Sequence, residues 1–327
     1  MQKTLTVFTI LSVLGLMIIL LSLGYGPSGF KWPGNAINYK VITTIRLPRV
    51  LLAFLAGSTL AVAGASLQGL LLNPLVSPYT LGVASGSSLG AVIAIRTGID
   101  IVIPGLGGIF TLSFITGGFV LVMLMRIAAK SMNGNTITVL LAGITIASFS
   151  SSAIMFIQYT SSYNESFKMV RWLMGTLDFV TMKQIYSIAP FTIIPSVILI
   201  SRGKDLNLLG LGTETAITAG LNTKKLVMVI IISTGIAVAS VVSIAGPIAF
   251  AGIIVPHAIR LLGIKDYRFL LPLSAIGGGI FLVASDLIAR TVLAPIQLPT
   301  GVITSLTGGP FFLFLLFQMG KTKTENY

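Results

Sequence analysis

Long uncharged apolar blocks alternate with short polar segments along this chain. Residues 5–25, 50–72, 185–201 and 227–250 contain no Asp, Glu, Lys or Arg. A helix needs about 20 apolar residues to cross the ~30 Å hydrocarbon core, and its backbone polar groups must be paired within the segment. These blocks therefore predict membrane spans. Followed along the chain, the pattern predicts about ten crossings. They fall near 5–23, 50–72, 79–96, 108–130, 137–158, 184–201, 226–245, 247–261 (short), 269–289 and 302–319. An outer loop is predicted up to Arg49, an outer polar segment from Tyr159 to Met182, and an inner polar loop up to Lys225. Lys3 precedes an apolar stretch longer than a signal-peptide core, with no small-residue cleavage site after it, so it reads as a retained first span. The pattern predicts an all-α, polytopic membrane protein forming a single transmembrane domain over residues 1–327.

Composition agrees. Of the 327 residues, 54% are hydrophobic and 9% charged, against about 25% charged in soluble proteins. A water-facing surface of ordinary size cannot be built from that. The 35 glycines exceed the usual share. Gly82, Gly86 and Gly90 recur at four-residue spacing, as do Ala53, Gly57, Ala61 and Ala65, which is the small-residue stripe that lets membrane helices approach closely.

Charge changes the picture only a little. The net charge is +13, but no basic run forms a nucleic-acid patch; the cations stand singly or in pairs at the ends of apolar blocks, where they set topology. With both termini on the cytoplasmic side of the inner membrane, twelve cations fall inside and nine outside, together the 21 of the sequence. That bias has the positive-inside sign but is weak. The absence of cysteine excludes disulfides, and a lone histidine, His257, reads as a hydrogen-bonded structural residue rather than a metal ligand.

A transporter needs an energy source. The P-loop pattern fails: Gly320-Lys321-Thr322 supplies its last three residues, but Leu315 stands where its first glycine belongs. A secondary transporter driven by an ion gradient is the rival reading, and it needs ionisable groups at mid-membrane. Only Asp286 of the eight acids lies in a predicted span, near its end and beside Arg290. No constellation of catalytic residues supports an enzyme. Gln68 and Gln158 are candidate polar groups facing a pathway.

The inner loop carries a second kind of signal. Leu206, Leu208 and Leu209 precede Gly210 to Gly212; Thr213 can cap a following helix, Glu214 suits its positive end, and Gly220 can close it. Two short helices broken at Gly210–Gly212 are predicted. They could rest on the lipid interface or dock as a knob into a cytoplasmic partner.

In order and spacing, a set of motifs resembles the iron-chelate, haem and vitamin B12 permeases of bacterial and archaeal ABC importers (the FecCD/BtuC type). It begins with Arg46-Leu-Pro-Arg49, Ala63-Gly64, Gln68-Gly69, Asn73-Pro74-Leu75 and Leu81-Gly82-Val83. It continues through Leu141-Ala142-Gly143, Trp172-Leu173-Met174-Gly175 and the loop at 206–222. Ala245-Gly246-Pro247-Ile248, Ile254-Val255-Pro256-His257, Leu271-Pro272, Asp286 with Arg290, Leu298-Pro299-Thr300-Gly301 and Gly309-Pro310-Phe311-Phe312 complete it.

The resemblance implies the type II ABC importer permease fold, with ten helices per subunit and two subunits (a second copy or a paralogue) around a central pathway. It also implies two ABC ATPase chains below, which hold the ATP and Mg, and an extracytoplasmic substrate-binding protein above. No cofactor on this chain and no nucleic-acid partner are expected. The loop at 203–224 then matches the coupling helices, with Leu206, Leu208, Leu209, Gly212, Thr213, Glu214, Ala216 and Gly220 as contact residues. Arg46, Arg49 and Arg290 match outer arginines that meet acidic residues of the binding protein, a role suited to exposed cations. Read from residues alone, they could equally anchor helices, and Arg290 could pair with Asp286 one turn away. Asn73, Pro74 and Leu75, with Asn135 and Thr136, match two cytoplasmic gates, though the first set also reads as an ordinary turn. Ferric siderophore, haem, cobalamin and oxyanions such as molybdate are the substrates the resemblance implies, siderophore first.

Overall fold

The structure is a computed structural model that describes residues 2–27, 29–31, 34, 36–99, 107–130, 136–178 and 180–324. Its helices are α1 (Gln2–Gly24), α2 (Ala36–Val41), α3 (Leu47–Leu70), α4 (Val83–Thr97), α5 (Gly108–Lys130), α6 (Thr136–Tyr159) and α7 (Tyr163–Leu173). They continue as α8 (Met182–Ser201), α9 (Gly203–Leu209), α10 (Thr213–Thr218), α11 (Thr223–Ala245), α12 (Ala251–Leu261), α13 (Tyr267–Thr291) and α14 (Thr300–Thr324). A two-residue antiparallel pair, β1 (Tyr25–Gly26) and β2 (Gly29–Phe30), follows α1. Among the described residues, seven helical stretches are long and apolar enough to cross a membrane, while α4 and α12 are apolar but shorter. Together with α14, they occupy the ten predicted crossings.

Helix α3 is the hub, packed against α8, α11, α12 and α13. Its glycines explain how. A Cβ on Gly57 would collide with the carbonyl oxygen of Gly278 in α13, and one on Gly64 with that of Gly252 in α12. Lipid offers no hydrophobic drive for association, so such backbone contacts hold the bundle by van der Waals packing.

Three differences from the sequence reading are informative. The segment before Arg49 is not a loop throughout: α2, a π-helical turn at Ile42–Arg46 and α3 run on as one apolar rod, Ala36–Leu70. Pro48 does not end the rod, although a proline ring inside a helix clashes with the carbonyl a turn earlier. The wider π turn ends immediately before Leu47 and lets the rod continue. The third span starts late because Gly82 adopts φ +72°, and a Cβ there would lie 2.6 Å from the Gly143 carbonyl oxygen of α6. The outer polar segment folds α7, whose start is a capping box between Ser162 and Glu165. The Ser162 backbone N–H, then its hydroxyl and the Arg96 guanidinium, hold the Glu165 carboxyl below its ordinary range.

Candidate functional site

Two ends of the bundle carry polar chemistry: one where α1 and α13 finish, one where α9 and α10 project. At the first, the arginines singled out in the sequence converge. Arg49, in the first turn of α3, donates from Nε to both carboxylate oxygens of Asp286 (2.9 and 3.0 Å) and from Nη1 to Gln297 Oε1 (2.7 Å). Its Nη1 also pairs with Asp178 at 2.7 Å. Asp286 accepts from the Thr300 hydroxyl (3.1 Å) at the start of α14 and lies 3.6 Å from Arg290 Nε. Arg290 donates to the carbonyl and hydroxyl of Ser22. Arg46 donates to the carbonyls of Leu23 (3.0 Å), Gly24 and Gly29 (3.1 Å).

The last carbonyls of a helix lack intrahelical partners and carry partial negative charge. Arg46 and Arg290 therefore cap the end of α1, while Arg49 ties α3 to α13. Arg46, Arg49 and Arg290 are 3%, 9% and 2% exposed. They are therefore not the exposed cations that the docking role suits: within this chain they face carboxylates and carbonyls of the fold. The pairing of Arg290 with Asp286 is present. Arg171 beside them is exposed, its side chain 56% open and 3.5 Å from Asp178. Asp178, Gln297 and Thr300 were missed as site residues. The usable signal was the scarcity of acids, since each acid buried in a bundle calls for a cation.

Arg46→Glu is expected to lower the melting temperature of the purified chain by more than about 5 °C, because a carboxylate would face three carbonyl oxygens. An unchanged melt, followed by size exclusion after heating, would return Arg46 to the surface. Beside Arg49, a cavity of about 750 Å³ is lined by Phe167, Arg171, Met174, Asp178 and Ile296 among others. It is mostly apolar, and the Arg49 and Arg171 guanidinium groups at its wall are both paired with the Asp178 carboxylate.

Between the ends, α11 and α12 are separated by a kinked segment. Gly246 and Phe250 both have positive φ (+68° and +69°). An 11-residue α12 rises only ~16 Å, about half the apolar thickness, so non-helical chain covers the rest. Such backbone is tolerated only where protein or a cavity satisfies it. The Tyr79 hydroxyl does so, donating to the Ile248 carbonyl and accepting from its N–H, each at 2.7 Å. Tyr79 and Pro247 line two adjoining cavities, of about 520 and 290 Å³, with Ser305 in one and Ser85, Ser88 and Ser151 in the other. Tyr79 was read only as a span boundary, because its partner lies 169 residues away.

At the opposite end, α9 and α10 are the two short helices predicted, broken at Gly210–Gly212. Leu206, Leu209 and Ala216 are buried, Leu208 and Gly212 half-buried, and Thr213, Glu214 and Gly220 exposed. Gly212, at φ +110°, takes the cap position with no side-chain bond, so the capping role expected of Thr213 is corrected: Thr213 is already the first helical residue. Gly220, at φ +85°, does close the helix, its N–H reaching the Ile217 carbonyl (2.9 Å) while that of Leu221 reaches Ala216 (3.0 Å). Leu211 and Ile217 are 69% and 55% exposed at the tip.

Asn207 fixes α9 to the start of α13. It donates to Asp266 Oδ1 (2.6 Å) and accepts from the Tyr267 N–H (2.9 Å). The Arg268 guanidinium, the Asn207 amide and the Arg268 N–H hold the Asp266 carboxyl far below its ordinary range, against the opposing effect of burial. Nearby, Asn73, Pro74 and Leu75 form an exposed, ordered turn in which Asn73 Oδ1 accepts from the Leu75 N–H at 2.9 Å. Asn135 lies outside the described residues, and Thr136 opens α6. Gln68 is 2% exposed and all its polar contacts are internal: the pathway-facing expectation gives way to a crosslink between elements. Its partners are the Val76 and Gly252 carbonyls (3.2 and 3.0 Å) and Arg260 Nη1 (2.6 Å). Gln158 is half-buried. His257 packs edge-on against Phe311, and no group of three or more potential metal ligands occurs among the described residues.

Comparison with known proteins places this geometry. The family model described as the FecCD transport family matches residues 5–318. The hemin transport system permease protein HmuU of Yersinia pestis is 33% identical, over 96% of this chain and 97% of that one. The cobalamin import system permease protein BtuC of Halobacterium salinarum is 35% identical, over 88% of this chain and 80% of its own length. A solved chain, described as an inward-facing conformation of a metal-chelate type ABC transporter, superposes with a TM-score of 0.87 at 30% identity, covering 96% of this chain and 99% of that one.

Proposed function

This chain belongs to the FecCD transport family, and on that premise we propose that it is the permease subunit of an ATP-driven importer of a metal chelate. A ferric siderophore is the first substrate to test, with haem and cobalamin next; similar permeases are named for hemin and cobalamin import. Two copies, or this chain and a paralogue, enclose the pathway. ATPase chains supply ATP and Mg chemistry beneath the α9–α10 end, which is then cytoplasmic, together with both termini. A substrate-binding protein docks at the arginine end. There the exposed Arg171 offers positive charge, while Arg46 and Arg290 set the rim by holding α1 and Arg49 by tying α3 to α13.

Helix α6 supports an enclosed pathway. Thr145, Ser148, Ser151 and Ser152 are exposed on a helix that is mostly apolar and lightly packed. Hydroxyls on a membrane helix suit a water-lined surface better than lipid. Alternating access would open this surface first at the arginine end and then between the gates at Asn73–Leu75 and Asn135–Thr136.

The observation that carries the reading is the α9–α10 loop. It shows two exposed apolar residues, Leu211 and Ile217, on a segment whose base is fixed by buried leucines and by Asn207. A rigid base under an apolar tip suits transmission of force to a docked partner. Replacing Leu211 and Ile217 with Glu is expected to weaken ATPase association by about thirtyfold or more, the effect of losing roughly 2 kcal/mol at an interface centre. The melting temperature of the isolated chain should not move. Equal affinity in a pull-down titration would remove the loop from the interface. The reading as a whole is tested by mild crosslinking in native membranes followed by mass spectrometry. Recovery of an ABC ATPase and an extracytoplasmic binding protein is the expected result; capture of this chain with itself alone would overturn it in favour of ion-driven transport.

A further inference from the structure

We propose that Asn207, Tyr267, Arg260 and Gln68 form one hydrogen-bonded linkage that carries displacement of the α9–α10 loop to the turn at Asn73–Leu75. The inference rests on the proposed docking of an ATPase at that loop, and it names the residues through which docking would act on the gate.

The linkage is continuous. Asn207 of α9 holds the Tyr267 N–H at the first residue of α13 (2.9 Å) and Asp266 beside it (2.6 Å). The Tyr267 hydroxyl lies 3.5 Å from Arg260 Nη2, and the Arg260 guanidinium carbon stands 5.8 Å from the Tyr267 ring centroid. Arg260 Nη1 donates to Gln68 Oε1 at 2.6 Å. Gln68 then grips the turn at both ends: its backbone carbonyl accepts from the Asn73 N–H (3.1 Å) and its amide donates to the Val76 carbonyl (3.2 Å). Gly69 leaves room for the Tyr267 ring, since a Cβ there would sit 2.8 Å from Tyr267 Cε1.

Two features separate this from an ordinary structural staple. First, among the described residues no acid pairs with Arg260. A half-buried guanidinium is held by a neutral amide and a phenol, a weak use of a charge if stability were its only purpose. Second, Gln68 uses both amide hydrogens and its oxygen at three points on two elements: the turn, and α12 at both its start (Gly252) and its end (Arg260). An amide satisfied on every side cannot rotate alone. Movement of Arg260 and α12 relative to α3, driven through the Tyr267 contact, must therefore stretch these bonds or carry the turn along.

The chain has no cysteine, so single nitroxide labels can be placed without other changes. Labels at Ile217→Cys, on the loop, and Leu75→Cys, in the turn, are read in liposomes with the ATPase recovered by crosslinking, with and without ATP. Both labels are expected to respond to ATP in the otherwise unmodified chain. With Asn207→Ala, the label at 217 should still respond, while the response at 75 should shrink at least about fivefold, the lower end of measured coupling between sites. Asn207 touches α13 and not the turn, so a merely structural role would leave the label at 75 unaffected. Gln68→Leu should give the same loss at 75. Should that buried variant fail to fold, the half-buried Asn207 variant decides alone. A full response at 75 in Asn207→Ala overturns the linkage, as does a turn that never responds while the loop does. A loop that ignores ATP in the unmodified chain overturns the ATPase docking itself, and the linkage with it.

Discussion

Asp286→Ala is expected to leave little folded protein. Asp286 is buried and is the acid shared by Arg49 and Arg290, and it also accepts from Thr300. Removing it leaves two guanidinium groups facing each other inside the bundle, with only Asp178 near Arg49 to offset them. Breaking a buried ion pair from one side costs about 3–5 kcal/mol, because the remaining charge has no partner. The expected outcome is a melting temperature lowered by about 10 °C or more, read by size exclusion of detergent-solubilised protein after heating. A combined variant, Asp286→Leu with Arg49→Met and Arg290→Met, should recover most of the loss, since an apolar replacement of a whole buried pair is often neutral. If Asp286→Ala melted like the parent, the network would carry no stability and the arginines would be accessible after all.

Gly64→Leu is expected to be as damaging for a different reason. A Cβ at Gly64 meets the backbone of Gly252, not a side chain that could rotate away. Ordinary overpacking costs about 1–3 kcal/mol where neighbours can adjust; here α12 must separate from α3, so the cost should reach the top of that range or exceed it. Gly118→Ala in α5 is the control. Nothing lies within 4 Å of a Cβ there, so the change should be neutral or stabilise the helix by roughly 0.5–1 kcal/mol. Thermal melts of the two variants side by side separate close backbone packing from glycine content as such. Similar melts for both would refute the packing role of Gly64.

The fold was largely legible because membrane spans are written locally. Each of the predicted crossings corresponds to a helix, and the break at Gly210–Gly212 with closure at Gly220 is where the glycines placed it. Boundaries failed where a local signal had a second solution. The second span starts before residue 50 because the π turn carries the helix past Pro48; the third starts after residue 79 because Gly82 is shaped by contact with α6.

The functional chemistry was only half legible. Sequence alone determined that this is a polytopic helical membrane protein and which motifs tie it to its family, because hydropathy and turn chemistry act over a few residues. It could not say which face of a span meets lipid and which meets protein: α3 and α6 have nearly the same hydropathy, yet α3 is mostly buried in the chain and α6 mostly exposed. Lipid and a packed helical core are equally apolar, so a pattern of hydrophobic residues does not separate them. Only the tertiary structure decided that Arg46, Arg49 and Arg290 face inward. Arg49 meets Asp286 across 237 residues of chain and Arg290 meets Ser22 across 268, and Gln68 meets Arg260 across 192. A charge is free or spent according to what the fold brings within about 3 Å of it, and no local stretch of sequence records that distance.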